Sequence, residues 1–170
     1  AIDIFKNINQ IIDDFDINKF GKSKPKFDKM ELLNLNSKFF QLIDFDDISG
    51  QLNTLDFEIT TEFWNLIKGN INTFNDIKFW WDIVYGKIKT INDDHEFTHL
   101  ALKTLPNDSF DKNTWSTWTS LLMKESGRKG KDLFKPLRLC LTGQNNGPEM
   151  ANLVLTMGRQ KIVERLNNKN

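Results

Sequence analysis

The chain of 170 residues is predicted to be all-α, and three observations predict it. Apolar residues recur at three- and four-residue intervals along most of its length, the period of a helix face. Ser, Thr, Asn or Asp stands before several of these runs, and Gly69, Gly127, Gly143 and Gly158 close others. No stretch reads as a strand and no internal repeat is present.

The elements follow in order. Ile4, Ile8, Ile11, Ile12 and Phe15 define a first helical run, Ile4–Phe15. Asp16–Phe27 is a basic connector broken by Gly21 and Pro25. Its Gly21-Lys22-Ser23 fails as a phosphate loop, because Asp16 stands where the first glycine of that motif belongs. Asp28, with Glu31 three residues on, resembles a capping box and opens a helix over Lys29–Ile43. Its apolar face is Leu32, Leu33, Leu35, Phe39, Phe40 and Ile43.

Asp44–Leu55 is acidic, with a turn expected at Ser49-Gly50. Thr61 is expected to cap a short helix, Glu62–Lys68, and Asn72 or Thr73 to open another that runs to Tyr85-Gly86. The aromatic residues here (Phe63, Trp64, Phe74, Phe79, Trp80, Trp81, Tyr85) lie at helical spacing, so they are expected in the core rather than stacked on bases. Asn92–Leu105 reads as a helix stopped by Pro106, with Phe97, Leu100 and Ala101 inward. Asp111 or Asn113 caps the next, which turns Trp115, Trp118, Leu121 and Leu122 inward and ends near Gly127.

Gly127–Pro148 concentrates special-purpose residues: a basic turn between glycines, then a helical run carrying Phe134, Pro136, Leu137 and Arg138. Thr142-Gly143 stops that run and Gly147-Pro148 restarts the helix, with Pro148 at the first helical position and Glu149 in the first turn. Met150, Leu153, Val154 and Met157 lead to a C-cap at Gly158. An amphipathic end with Ile162, Val163 and Leu166 runs into a frayed tail. Two small helical sub-bundles are expected, over residues 1–106 and 107–170.

Composition sets limits. With 39% apolar and 27% charged residues this is a globular chain, and no apolar run approaches the ~20 residues that span a bilayer. The lone cysteine, Cys140, cannot form an internal disulfide, which fits a reducing cytoplasm. It sits in an apolar run and reads as a small core filler. The N-terminus has no signal-peptide pattern, and a start at Ala1 rather than Met fits a piece of something longer. Charge is zero overall but uneven: residues 121–170 hold ten Lys/Arg against four Asp/Glu, a +6 excess that favours an anionic partner.

His95-Glu96-Phe97-Thr98-His99 matches the zinc hydrolase motif H-E-x-x-H, which sets two imidazoles on one helix face with a glutamate to polarise water. A third ligand is missing where the extended motif needs it, since Leu102 and Leu105 hold those positions. Glu125 is the only acidic substitute in the next helix, and it adjoins the basic turn. A zinc hydrolase built on His95, Glu96 and His99 remains one alternative, and a helical protein-interaction domain with a solubilising basic tail is another.

The residues K-G (Lys129-Gly130), Phe134, Pro136-Leu137-Arg138, Cys140-Leu141-Thr142-Gly143, Pro148 and Gly158-Arg159 closely resemble the C-terminal anticodon-binding region of bacterial glutamyl-tRNA synthetases. Phe27-Asp28 and Leu35-Asn36 are similar to that family's segment after its catalytic region. The likeness covers nearly the whole chain and is weakest over Phe45–Asn107. Cys140 stands where the family usually has alanine. The family's ATP-site signatures, H-I-G-H and K-[LM]-S-K, do not occur.

The resemblance therefore implies the tRNA-reading end of a glutamate–tRNA ligase without its active site, with no catalytic residue, metal or cofactor of its own. ATP and magnesium are implied only for the parent enzyme, and a monomer is expected. It places Arg138, Gly147, Pro148 and Met150 at the anticodon, with Lys129 and Lys131 on the backbone. Arg138 suits phosphate or a base edge, though a structural salt bridge within the helix pair is the competing role. Members that read the third anticodon base strictly can carry an arginine where Asn70 stands here, two residues after Lys68. The implied partner is therefore tRNA-Glu, with tRNA-Gln a second candidate.

Overall fold

The computed structural model describes residues 8–21, 24 and 26–167. Ile4, Lys22, Ser23, Pro25 and the last three residues of the expected tail lie outside the described residues. Those described form helices and turns with no strand, an all-α fold. The chain divides into two compact units, residues 1–76 and 77–170. Pro106, the expected boundary, lies within the second.

In the first unit α1 spans Ile8–Asp14, and a 3-10 turn follows at Ile17–Lys19. The apolar residues Ile8, Ile11, Ile12 and Phe15 are all exposed. Asp28 caps α2 (Lys29–Leu42) as expected, its carboxylate accepting from the Met30 N–H at 2.8 Å. The inward face of α2 is narrower than its pattern: Phe40 and Ile43 are buried while Leu32 is 44% exposed.

Ser49-Gly50 does not make a turn. Helix α3 (Phe45–Leu52) runs through it, burying Ile48 and Leu52 one turn apart. Burying two such side chains contributes about 3–6 kcal/mol, which outweighs the roughly 1 kcal/mol cost of a glycine inside a helix.

Thr60 rather than Thr61 caps α4 (Thr61–Ile67), accepting from the Phe63 N–H at 3.2 Å. A 3-10 turn, Lys68–Asn70, continues it. Phe63 and Trp64 are fully buried, and Trp64 meets Phe40 edge to face at 6.1 Å. Helix α5 (Asp76–Val84) starts later than expected, because the Asp76 carboxylate gathers the N–H groups of Asn72 and Thr73 into a turn before it.

The second unit begins within α5, whose 3.6-residue period lets only one side face inward. Ile77, Trp80, Ile83 and Val84 are buried, whereas Phe79 and Tyr85 are 46% and 39% exposed. The aromatic run is thus only partly core.

Helix α6 (His95–Thr104) is capped by Asp94, and Asn92, expected inside it, is instead a buried acceptor for the Thr98 hydroxyl at 3.2 Å. Asp111 organises the start of α7 (Thr114–Ser126), which ends at left-handed Gly127. Leu121, expected inward, is 43% exposed. Helix α6 packs on α7, α8 and α9, and the buried Trp118 of α7 donates to the Ala101 carbonyl at 2.9 Å.

Helix α8 (Lys131–Thr142) and α9 (Met150–Asn167) pack on each other, with α9 broken at Gly158 (φ 71, ψ 165). Arg165 of α9 is completely buried, yet among the described residues it pairs with no carboxylate. Its Nη2 donates to the carbonyls of Ile83 at 3.0 Å and Gly86 at 3.1 Å. The Ile83 carbonyl lies in the last turn of α5 and Gly86 just beyond it, where a cation also meets the negative end of the helix dipole. Burial lowers the guanidinium pKa, but an arginine keeps its charge in proteins.

Candidate nucleic-acid interface

Helix α8 has a sharply divided surface. Leu133, Leu137, Cys140 and Leu141 are buried. On another face Lys131, Lys135 and Arg138 follow one another at i, i+4 and i+7, so the three cations form a row. Between Lys131 and Lys135 the Phe134 ring is 39% exposed. These four side chains, with Asn145 and Asn146 of the loop before α9, line an open groove. An adjoining surface is lined by Arg128, Lys131, Asp132, Lys135 and Pro136. Neither Lys131 nor Lys135 makes an ion pair among the described residues.

Arg138 joins α8 to the loop. Its Nη2 donates to the Pro148 carbonyl at 3.0 Å, while Nη1 is buried without a hydrogen-bond partner. No ion pair holds Arg138 among the described residues, so the salt bridge weighed for it from sequence is not formed. Burial moves its pKa down; charge is retained.

The loop itself is fixed from below. The Thr142 hydroxyl donates to the Arg138 carbonyl at 2.8 Å and accepts from the Gln144 N–H at 3.0 Å. Gly147 takes φ 146, and a β-carbon there would collide with the Trp80 ring. Pro148 and Met150 are buried and Gly147 is half-buried. Pro148 is not the first helical residue: Glu149 is the cap, its carbonyl accepting from Leu153 at 3.0 Å. The Glu149 carboxylate accepts from the Asn152 side chain at 3.1 Å.

In the basic turn Lys129 is exposed, while Arg128 is tied back into the unit. Arg128 pairs with Asp94 at 2.7 Å and lies over the Phe97 ring at 4.6 Å. Asp94 also caps α6 by accepting from the Phe97 N–H at 3.0 Å. That backbone bond first, and the Arg128 guanidinium second, hold its carboxyl below the usual aspartate range.

Lys68 and Asn70 belong to the first unit, where both lie on the 3-10 turn after α4; Asn70 is exposed and Lys68 half-buried. Among the described residues the zinc motif finds no third ligand. His95, Glu96 and His99 are all exposed, and no group of three metal-ligating side chains occurs among the described residues. Cys140 is buried as expected, its thiol pushed up to about 11 by desolvation.

Lys135, Asn145, Asn146 and the Trp80 floor are singled out by no motif. The helical spacing of Lys131, Lys135 and Arg138 is the one sequence signal that points to the cationic row. The approach of the loop asparagines has none.

A helical module with a basic, aromatic-flanked groove is the class of protein that this fold and site define. The chain belongs to the anticodon binding domain family, whose family model matches residues 31–169. It is 38% identical over 167 residues to glutamate–tRNA ligase 2 of Ehrlichia canis, an alignment covering 97% of this chain and 38% of that protein. To glutamate–tRNA ligase 1 of Ehrlichia chaffeensis it is 41% identical over 159 residues, covering 92% of the chain and 35% of that protein. The chain thus spans a little over a third of the length of these relatives. A crystal structure of a glutamate tRNA ligase from Elizabethkingia meningosepticum superposes with a TM-score of 0.75 at 18% identity, over 94% of this chain and 36% of that one, a likeness of fold.

Proposed function

We propose that this chain is the anticodon-reading part of a longer glutamate–tRNA ligase, and that it grips the anticodon stem-loop of tRNA-Glu with the groove of α8 and the loop before α9. The observation that carries this reading is the row Lys131, Lys135 and Arg138 beside Phe134, Asn145 and Asn146. An anticodon loop offers unpaired bases on a bent phosphate backbone, which proteins meet with arginine, lysine and flat side chains.

In this proposal Lys129, Lys131 and Lys135 take phosphates, which position the RNA without reading its sequence. Arg138 adds positive charge at the groove wall, its Nη1 buried and its Nη2 held on the Pro148 carbonyl. Gly147, Pro148 and Met150 act by holding the loop backbone at the groove. Lys68 and Asn70 are the proposed reading residues of the first unit. An asparagine there lacks a charged fork, so the parent enzyme is proposed to accept tRNA-Gln as well as tRNA-Glu. Adenylate formation, with its ATP and magnesium, belongs to the remainder of the protein, acting as a monomer in the cytoplasm.

The test is titration of the chain with tRNA-Glu at two salt concentrations. Affinity should fall steeply with salt; Arg138→Ala should weaken it, and Lys131→Ala should weaken it and flatten the salt slope by about 0.7–0.9. Salt-independent binding, or none to tRNA-Glu above an unrelated duplex, would overturn the reading.

A further inference from the structure

We propose that Phe134 is a stacking platform for one unpaired RNA base, with Lys131 and Lys135 holding the phosphates on either side of that base. The proposal rests on the RNA-binding reading above and goes beyond it. It assigns a base-contacting role to a residue that the expected anticodon set does not include.

Three features of α8 carry it. The first is exposure. Leu133 and Leu137 are 0% exposed and supply the core side of the helix, whereas the Phe134 ring is 39% exposed. A phenylalanine used only for packing is more often buried.

The second is rigidity. The Trp115 ring lies 6.1 Å from the Phe134 ring at a tilt of 34°, and Trp115 in turn meets the buried Trp118 edge to face at 5.9 Å. A ring backed in this way presents its open side with little conformational freedom left to lose on binding.

The third is the charge around it. Lys131, Lys135 and Arg138 line the same groove as the ring, together with the neutral amides of Asn145 and Asn146. Asp132 is the carboxylate of the neighbouring surface, and it does not line this groove. An aromatic face inside a cationic groove is the arrangement by which proteins hold single-stranded nucleic acid: bases stack on the ring while lysines follow the backbone. A double-stranded RNA offers no free base face, so the occupant is an unpaired loop base.

The experiment measures binding of the whole chain to a tRNA-Glu anticodon stem-loop RNA and to a fully paired RNA duplex. Phe134→Leu should weaken binding to the stem-loop about 5- to 150-fold, the range expected for loss of one base–aromatic stack. It should leave duplex binding unchanged, and Phe134→Tyr should restore stem-loop binding. Equal losses for both RNAs, or no loss for either, overturn the platform. If Lys131→Ala and Arg138→Ala weaken stem-loop binding while Phe134→Leu does not, the platform fails and the RNA-binding reading stands. If the unaltered chain does not prefer the stem-loop, both fail.

A second measurement does not depend on how the variants fold. Stem-loop RNA carrying 5-bromouridine at its loop positions is irradiated with the unaltered chain, and the cross-linked peptide is mapped. An adduct on Phe134 supports the proposal; adducts only elsewhere overturn it.

Discussion

The Trp80 ring occupies the space that a β-carbon on Gly147 would need, and Gly147 stands at φ 146, a conformation that side-chain-bearing residues rarely adopt. Two residues far apart in sequence thereby set the height of the loop that borders the α8 groove. Gly147→Ala should destabilise the chain by about 2–4 kcal/mol, combining backbone strain with overpacking. Urea unfolding measures the loss. Trp80→Leu in the same chain should recover part of it, the part owed to the clash rather than to φ.

Arg165 ties α9 to the end of α5 from inside the second unit. Its buried guanidinium serves the carbonyls of Ile83 and Gly86. Arg165→Ala strands those acceptors, and each bond to a charged donor contributes about 1.5–3 kcal/mol. A loss of about 3 kcal/mol or more is expected in chemical denaturation. Arg165→Lys should recover only part, because an ammonium lacks the planar fork.

Cys140 should be inert in the native chain. It is buried, and its thiol is pushed up to about 11, so the thiolate that reacts is scarce at pH 8. A thiol reagent should label it only after denaturant is added. Rapid labelling of the folded chain would contradict this packing.

Asp94 should give the stability a pH dependence on the acid side. Its folded pKa is depressed by the Phe97 N–H and by Arg128. The contribution is therefore full above the ordinary aspartate value, near about 3.9. It is lost as pH falls below that value and through the lower folded one. The cap and the half-exposed pair together are worth about 1–2 kcal/mol at neutral pH. Asp94→Asn should lose the ion pair, keep part of the cap and flatten the melting temperature between pH 5 and pH 3.

Much of the fold was legible from local rules. Asp28 caps α2 and Gly127 and Gly143 close α7 and α8, because caps and left-handed stops depend on residues a turn away. Where local rules gave way, burial decided. Gly50 stays helical because Ile48 and Leu52 are buried, and Phe79 faces out because α5 has only one inward side. Of the candidate site, the cationic row of Lys131, Lys135 and Arg138 follows from helical spacing alone. The burial of Pro148 and Met150 and the approach of Asn145 and Asn146 do not.

By itself the sequence determined the helical class, the family likeness and the residues of the basic stretch, since periodicity, caps and motif letters are properties of neighbouring positions. Only the tertiary structure decided which of those residues are available. It turned Arg128 back onto Asp94, bound Arg138 to the Pro148 carbonyl, set Trp80 beneath Gly147 and left Phe134 open among lysines. The physical reason is that exposure and pairing depend on side chains brought together from distant helices, and no local pattern records which ones meet.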